Sequence, residues 1–470
     1  MKDTTNCVEN RQLHKEGYLQ EDRVELEDNA GAFSISFMSE KETNGRNGYA
    51  IRGLLEEILD RDNMNRAYKR VKKNKGSHGI DGMTVDELLP FLRENSNQIK
   101  ESIMEGRYTP KPVRRVEIPK PDGGIRLLGI PTVLDRVIQQ AISQVLTPIY
   151  ENEFSEFSYG FRPGRNAHQA VRKCKEYIDA GCKWAVDIDL AKYFDTVNHD
   201  KLMRILSRTI KDGRVLSLIR KYLQSGVMIN GVFAETEEGT PQGGNLSPLL
   251  SNIMLNELDN ELTKRGLKFC RYADDANIYV KSKKAAERVM ASVTRFIEEE
   301  LKLKVNREKS SVGRPWKLKF LGFTFYHIKG GVGIRVHPKP LKKLKDKIKE
   351  ATGRSKAISA NEMILKLKHI ITGWVNYFKI ADMKMLLKEL DEWLRRRIRM
   401  CYWKRWKKIK TKHDNLVKLG IDNNKAWEYA NTRKDYWRIS NSPILKRALP
   451  NERLKKQGFP TMTEIYLKVR

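Results

Sequence analysis

Residues 269–281 read FCRYADDANIYVK and set two adjacent carboxylates, Asp274 and Asp275, between runs of apolar, strand-forming side chains. Taking one carboxylate out of water is costly, and neighbours of like charge raise each other's pKa unless positive charge holds them together. The flanks KFCRY and ANIYVK predict two strands of a hairpin with the aspartates at its turn. A second acidic pair lies in WAVDIDLAKYF, residues 184–194. As a strand, this segment turns Trp184, Val186, Ile188 and Leu190 toward a core and Asp187 and Asp189 toward the opposite face. If the two elements are neighbours, three or four carboxylates converge and need divalent cations. Two Mg²⁺ ions suit carboxylate oxygen and substrate phosphate and can serve an in-line phosphoryl displacement. The alternative is a solvated hairpin tip, because Asp is common in turns.

Charge narrows the choice of partner. The 470 residues carry 90 Lys and Arg against 59 Asp and Glu, a net charge of +31. Such a surplus repels itself unless it meets a polyanion, which favours nucleic acid over an acidic metabolite. The cysteines Cys7, Cys174, Cys182, Cys270 and Cys401 form no C-x-x-C pair, so neither a zinc ribbon nor a disulfide framework is encoded. No apolar run approaches the ~20 residues of a membrane span.

Along the chain, residues 1–50 are expected to be a disordered or loosely attached leader. Short β-rich runs and amphipathic helices mix between 116 and 330, the pattern of an α+β domain, and the remainder is helical and basic. LRRRIRMCYWKRWKKIKTK, residues 394–412, has ten basic residues and no acid. Trp393, Tyr402, Trp403 and Trp406 interleave with them, which suits buried aromatics with arginines on nucleic acid; core residues of a helical domain with one wet basic face are the other account.

The order of blocks says more. IPKPDGGIRLLGIPTVLDRVIQQAI (118–142), YGFRPGRNAHQAV (159–171), VDIDLAKYFDTVNHD (186–200), GTPQGGNLSPLLSNIMLNELD (239–259), RYADD (271–275), LKVNREKS (303–310) and FLGFTF (320–325) occur in succession. Together they resemble a reverse transcriptase encoded by a group II intron. GWVNYFKIAD, 373–382, resembles that family's maturase or thumb segment, and NSPILKRALPNERLKKQGFP is similar to the tail of its bacterial class C subgroup.

The resemblance implies a right-hand polymerase fold: fingers and palm over 51–335 with an antiparallel palm sheet, thumb and maturase domain over 336–412, and a DNA- or RNA-binding region over 413–470. It implies an RNA-directed DNA polymerase that also binds its intron RNA to promote splicing and mobility. Asp189, five positions before Phe194, and Asp274 and Asp275 of the Y-A-D-D block are then the catalytic, Mg²⁺-binding carboxylates, with Asp187 the structural runner-up. Phe194 is implied to exclude a 2′-hydroxyl. Lys120, Arg126, Leu190, Pro241, Gln242 and Lys309 are implied to join it around the deoxynucleotide. Lys72, Lys73 and Lys75 of KKNKGSHGIDG, with Arg162, Arg165, Arg395, Arg396, Arg399, Lys404 and Arg405, are the expected nucleic-acid contacts.

The expected partners are intron RNA, an RNA template with DNA primer, a DNA target and dNTPs, with no membrane. The chain is expected to be a monomer or homodimer in the bacterial cytoplasm, associated with the nucleoid. No paired cysteines follow Cys401, so an HNH nuclease is not expected, and integration would use a primer already present. A splicing-only RNA-binding factor, or a reverse transcriptase recruited to host defence or repair, are the alternatives.

Overall fold

In the computed structural model the described residues are 53–119, 123–229, 231–240, 243–353 and 358–470. The expected leader, Lys120, Pro241 and Gln242 lie outside them. Among the described residues, 53–320 form one compact unit and 321–470 another. The division thus falls at Phe320, ahead of the 335 that the family resemblance implies, and 336–412 share a unit with 413–470.

The first unit opens with helices α1 (Leu54–Ile58), α2 (Arg61–Asn74) and α3 (Leu88–Met104). Strands β1 (Val113–Pro119), β2 (Ile125–Ile130), β4 (Val227–Ile229) and β5 (Val232–Ala234) make a small sheet ordered β2-β1-β4-β5, with β1 parallel to β4. Helix α4 (Val133–Glu151) follows β2 and begins where the Thr132 hydroxyl accepts from the Asp135 amide. Its Val137, Ile138, Ala141, Ile142 and Leu146 are fully buried. Each such side chain contributes ~1.5–3 kcal/mol over an exposed one, which fixes this helix in the core.

Carboxylates are presented by the second sheet. Its strands β3 (Trp184–Ile188), β6 (Lys268–Tyr272), β7 (Asp275–Val280) and β8 (Ser311–Gly313) are ordered β6-β7-β3-β8 with every pairing antiparallel. Val186 and Ile188 of β3 enter the core with Phe269 and Ile278, as the alternation predicts. Trp184 at the strand's start packs against this core but is only half-buried, and the Arg314 guanidinium lies over its ring at 4.4 Å. Around this sheet run α5 (Ala167–Asp179), α6 (His199–Thr209), α7 (Gly213–Leu223), α8 (Ser247–Lys264) and α9 (Lys283–Arg295). Helix α8 starts with Pro248 in its first turn and buries residues on nearly every side, which accounts for its apolar composition.

The second unit begins with a hairpin of β9 (Phe323–Ile328) and β10 (Gly331–Val336) and continues as helices. These are α10 (Pro338–Ala351), α11 (Ala360–Phe378), α12 (Lys384–Arg405), α13 (Ile409–Lys418), α14 (Asn423–Ala430), α15 (Tyr436–Ile439), α16 (Pro443–Ala448), α17 (Asn451–Lys456) and α18 (Met462–Val469). Helix α12 is the spine to which the later helices are tied. Asp391 caps α18 across the unit by accepting from the Met462 and Thr463 amides at 2.8 and 3.0 Å. The Tyr466 hydroxyl donates to the Ala381 carbonyl at 2.8 Å. Among the described residues no helix is long and apolar enough to cross a membrane.

Candidate active site

The register of β3 on β7 decides whether the two acidic segments meet. Asp187 stands opposite Asn277 and Ile188 opposite Ala276, and the ladder ends there, one residue short of Asp189 on one side and Asp275 on the other. Facing residues of an antiparallel pair lie ~5 Å apart at Cα and project to the same side. The Asn277 amide, itself buried, donates to Asp187 at 2.9 Å across that ladder. Tyr272 pairs with Asp275, so only Ala273 and Asp274 form the hairpin turn, and Asp275 is the first residue of β7 rather than a turn residue. Ala273 takes φ 55°, the hand that tight hairpins require and side chains resist.

Asp187, Asp189 and Asp275 therefore come close to the turn that carries Asp274, near enough for their charges to act on one another. Asp275 is exposed at its surface, yet desolvation by the surrounding protein, then repulsion from Asp274 and Asp187, pushes it up to about 7. Burial raises Asp187 to about 6, with the Asn277 hydrogen bond opposing it and Asp189 reinforcing it. Asp274 is raised by burial and by Asp189, against which the charges of Arg126 of β2 and of Arg271 act. Lys319 opposes the rise at both Asp187 and Asp275, a contribution that sequence reading had not singled out. Among the described residues no three His, Cys, Asp or Glu side chains close into a ready-made cage for an ion. The donor set nonetheless fits Mg²⁺, which binds through one or two carboxylates and takes its remaining oxygens from water and substrate phosphate.

Asp189 is held by its backbone. Its N–H donates to the Ser310 hydroxyl at 3.0 Å, and its carbonyl accepts from the Asn306 amide at 2.8 Å. The LKVNREKS block is thus a clasp on Asp189, and Lys309 stands exposed in that clasp.

Past Asp189 the chain reverses through Lys192 at φ 48° into the short turn Tyr193–Asp195. The Tyr193 hydroxyl donates to the Ser251 carbonyl at 3.2 Å, and its ring meets Phe194 edge-on at 5.2 Å. Phe194 is half-buried. Its carbonyl accepts from the Thr240 amide at 2.6 Å, which brings the block that begins at Gly239 beside it. Gly239 has φ 94°, and a Cβ there would lie 2.8 Å from the Phe194 carbonyl oxygen, so only glycine fits. Leu190 does not join this wall as expected. Its side chain is 7% exposed and belongs to the core, as period-two alternation from Val186 requires.

Several expected nucleic-acid contacts are corrected by their burial. Arg162 is 7% exposed; it bonds Glu151 at 2.7 Å and the carbonyls of Ser155 and Ser158. Arg395 and Arg399 are also buried, the first donating to the Thr461 hydroxyl and the second to the Leu449 carbonyl and Asn451. These guanidiniums satisfy backbone and side-chain oxygens that folding would otherwise leave unpaired. Arg396 is partly covered, lying over Trp437 at 3.9 Å and donating to its carbonyl. Lys404 reaches the Tyr436 hydroxyl, Arg405 the Ile358 carbonyl, and Arg165 the Glu156 carbonyl. Lys72, Lys73 and Lys75 are exposed. The glycine-rich loop after them is fastened to the first unit, with Arg114 donating to Ser77 and His78 and Arg136 to the Ser77 carbonyl.

Comparison with known proteins agrees with this architecture. Residues 118–325 match the reverse transcriptase (RNA-dependent DNA polymerase) family, and residues 341–420 match the group II intron maturase-specific domain. Protein YkfC of Escherichia coli is 36% identical over 302 residues, 56% of this chain and 79% of that protein. Group II intron-encoded protein LtrA of Lactococcus lactis is 40% identical over 206 residues, 44% of this chain and 34% of LtrA. The putative COX1/OXI3 intron 2 protein of Saccharomyces cerevisiae is 37% identical over 203 residues, 42% of this chain and 23% of that protein. The match thus spans about a third or less of these two intron proteins. With a polymerase domain followed by a maturase domain, the chain belongs to the group II intron reverse transcriptase and maturase family.

Proposed function

We propose that the chain is an RNA-directed DNA polymerase that extends a DNA primer on an RNA template and binds its intron RNA to promote splicing and target-primed mobility. The observation that carries the polymerase reading is the gathering of Asp187, Asp189, Asp274 and Asp275 at one end of the sheet, with Arg126 as a positive charge near Asp274. Asp189, Asp274 and Asp275 are the residues that would hold two Mg²⁺ ions, which supply Lewis acidity to the primer hydroxyl and the triphosphate. Arg126 then attracts the triphosphate, and the Phe194 ring excludes a 2′-hydroxyl by its bulk. Asp187, bonded to Asn277, keeps the sheet in register beneath the metal-binding residues.

Splicing assistance is a binding function of the maturase domain and the exposed basic surface, without protein carboxylates in the chemistry. Such a protein works in the cytoplasm at the nucleoid, where RNA template and DNA target meet. The test is primer extension on an RNA template with Mg²⁺, alongside intron RNA binding. Asp274→Ala abolishes extension and leaves RNA binding in place. Extension that survives Asp274→Ala refutes the assignment.

A further inference from the structure

We propose that Arg271, Asp259, Asn252 and Gly160 form a positioning frame that fixes the Tyr272–Asp275 turn and so sets how tightly its carboxylates hold metal; this rests on the polymerase reading above. The turn needs such a frame because Ala273 sits at φ 55°, where an alanine has no preference to remain. From below, Arg271 Nη1 donates to the Ala273 carbonyl at 2.9 Å and to Asn252 Oδ1 at 3.0 Å. Its Nε and Nη2 grip both oxygens of Asp259 at 2.6–3.0 Å. Asn252 passes the restraint on by donating to the Gly160 carbonyl at 2.8 Å. Gly160 closes the frame from the other side: a Cβ there would stand 2.2 Å from the Ala273 nitrogen.

Every polar member is sealed from water, with Arg271 and Asn252 1% exposed and Asp259 0%. A buried ion pair is a poor route to stability, since apolar residues of the same volume often serve as well or better. What a guanidinium adds is direction, because its planar fork fixes several acceptors at once. Here those acceptors are two side chains of α8 and the carbonyl of the turn that carries Asp274. Asn252 and Asp259 lie seven residues apart, two turns along one face of α8. The preceding residue, Ser251, receives the Tyr193 hydroxyl from beside Phe194. One helix therefore holds both walls of the site. It also gives the YGFRPGR block a place in the chemistry other than nucleic-acid contact: Gly160 seats the turn, and Arg162 folds the block onto Glu151.

The test compares full-length wild type, Asn252→Ala, Gly160→Ala and Arg271→Lys. Asn252→Ala keeps the Arg271–Asp259 pair and serves where the other variants fail to fold. Two quantities are measured: the Mg²⁺ concentration giving half-maximal extension, and hydrogen exchange of the peptide spanning 268–280. The variants are expected to raise the half-maximal Mg²⁺ concentration roughly 10- to 100-fold, as loss of groups that orient metal ligands does elsewhere. Exchange rises in 271–276 and not in β3 or α4. Folded variants with unchanged Mg²⁺ dependence and unchanged exchange in the turn overturn the frame, whatever their melting temperature. Absence of Mg²⁺-dependent extension in the wild type overturns the polymerase reading instead.

Discussion

Asp275→Asn isolates the electrostatic cost of gathering carboxylates at the end of the palm sheet. In the folded metal-free protein Asp275 titrates at about 7 rather than the ordinary 3.8. A rise of that size sets a ceiling of ~4 kcal/mol on the destabilisation once the group ionises. The side chain still meets solvent, and the repulsion is shared among four acids, so the expected effect is ~1–2 kcal/mol. The sign follows from proton uptake. Folding raises this pKa, so the contribution is fully present below pH ~4 and is lost as pH rises through about 7. Asparagine cannot ionise and escapes the loss. With chelator present, the urea midpoints of wild type and Asp275→Asn should therefore nearly coincide below pH ~3.5 and separate by pH 8, with the variant the more stable. Mg²⁺ should then raise the wild-type midpoint more at pH 8 than at pH 5, because binding to the folded state alone adds stability. A difference between the proteins that is flat across this range refutes the account of a self-repelling cluster awaiting cations.

On the steric role proposed for Phe194, Phe194→Ala should relax discrimination against ribonucleotides by roughly 10- to 200-fold, read as the ratio of kcat/KM for dNTP and rNTP. An unchanged ratio removes the steric role. Asp259→Leu strands the Arg271 guanidinium in the core and should cost ~3–5 kcal/mol in chemical denaturation, whereas Asp259→Leu with Arg271→Met recovers much of it. No recovery in the double variant would mean that the pair is not the source of the loss. Arg399→Ala leaves the Leu449 carbonyl unpaired and should lower stability by ~1–3 kcal/mol while the salt dependence of RNA binding stays as it was. Lys72→Ala, at an exposed position, should instead lower that slope by up to ~1 with little change in stability.

The sequence by itself determined the elements of the site. Alternation in WAVDIDL separated Val186 and Ile188 from Asp187 and Asp189, because side chains in a strand point to opposite faces in turn. The apolar flanks of Asp274 and Asp275 marked a hairpin, and the order of blocks identified the family. What no single segment contains is register. Only the pairing of β3 with β7 brings Asp189 to the end of the sheet where Asp275 lies, and only the packing of α8 against the turn gives Arg271 its partners. The basic residues show the same limit from the other side. A run of arginines records charge and helical phase, yet Arg395 and Arg399 turn inward while exposed Lys72 and Lys75 remain wet. Burial is settled by which distant oxygens lie within reach of a guanidinium, and for Arg395 and Arg399 those are the Thr461 hydroxyl and the Leu449 carbonyl, 66 and 50 residues away.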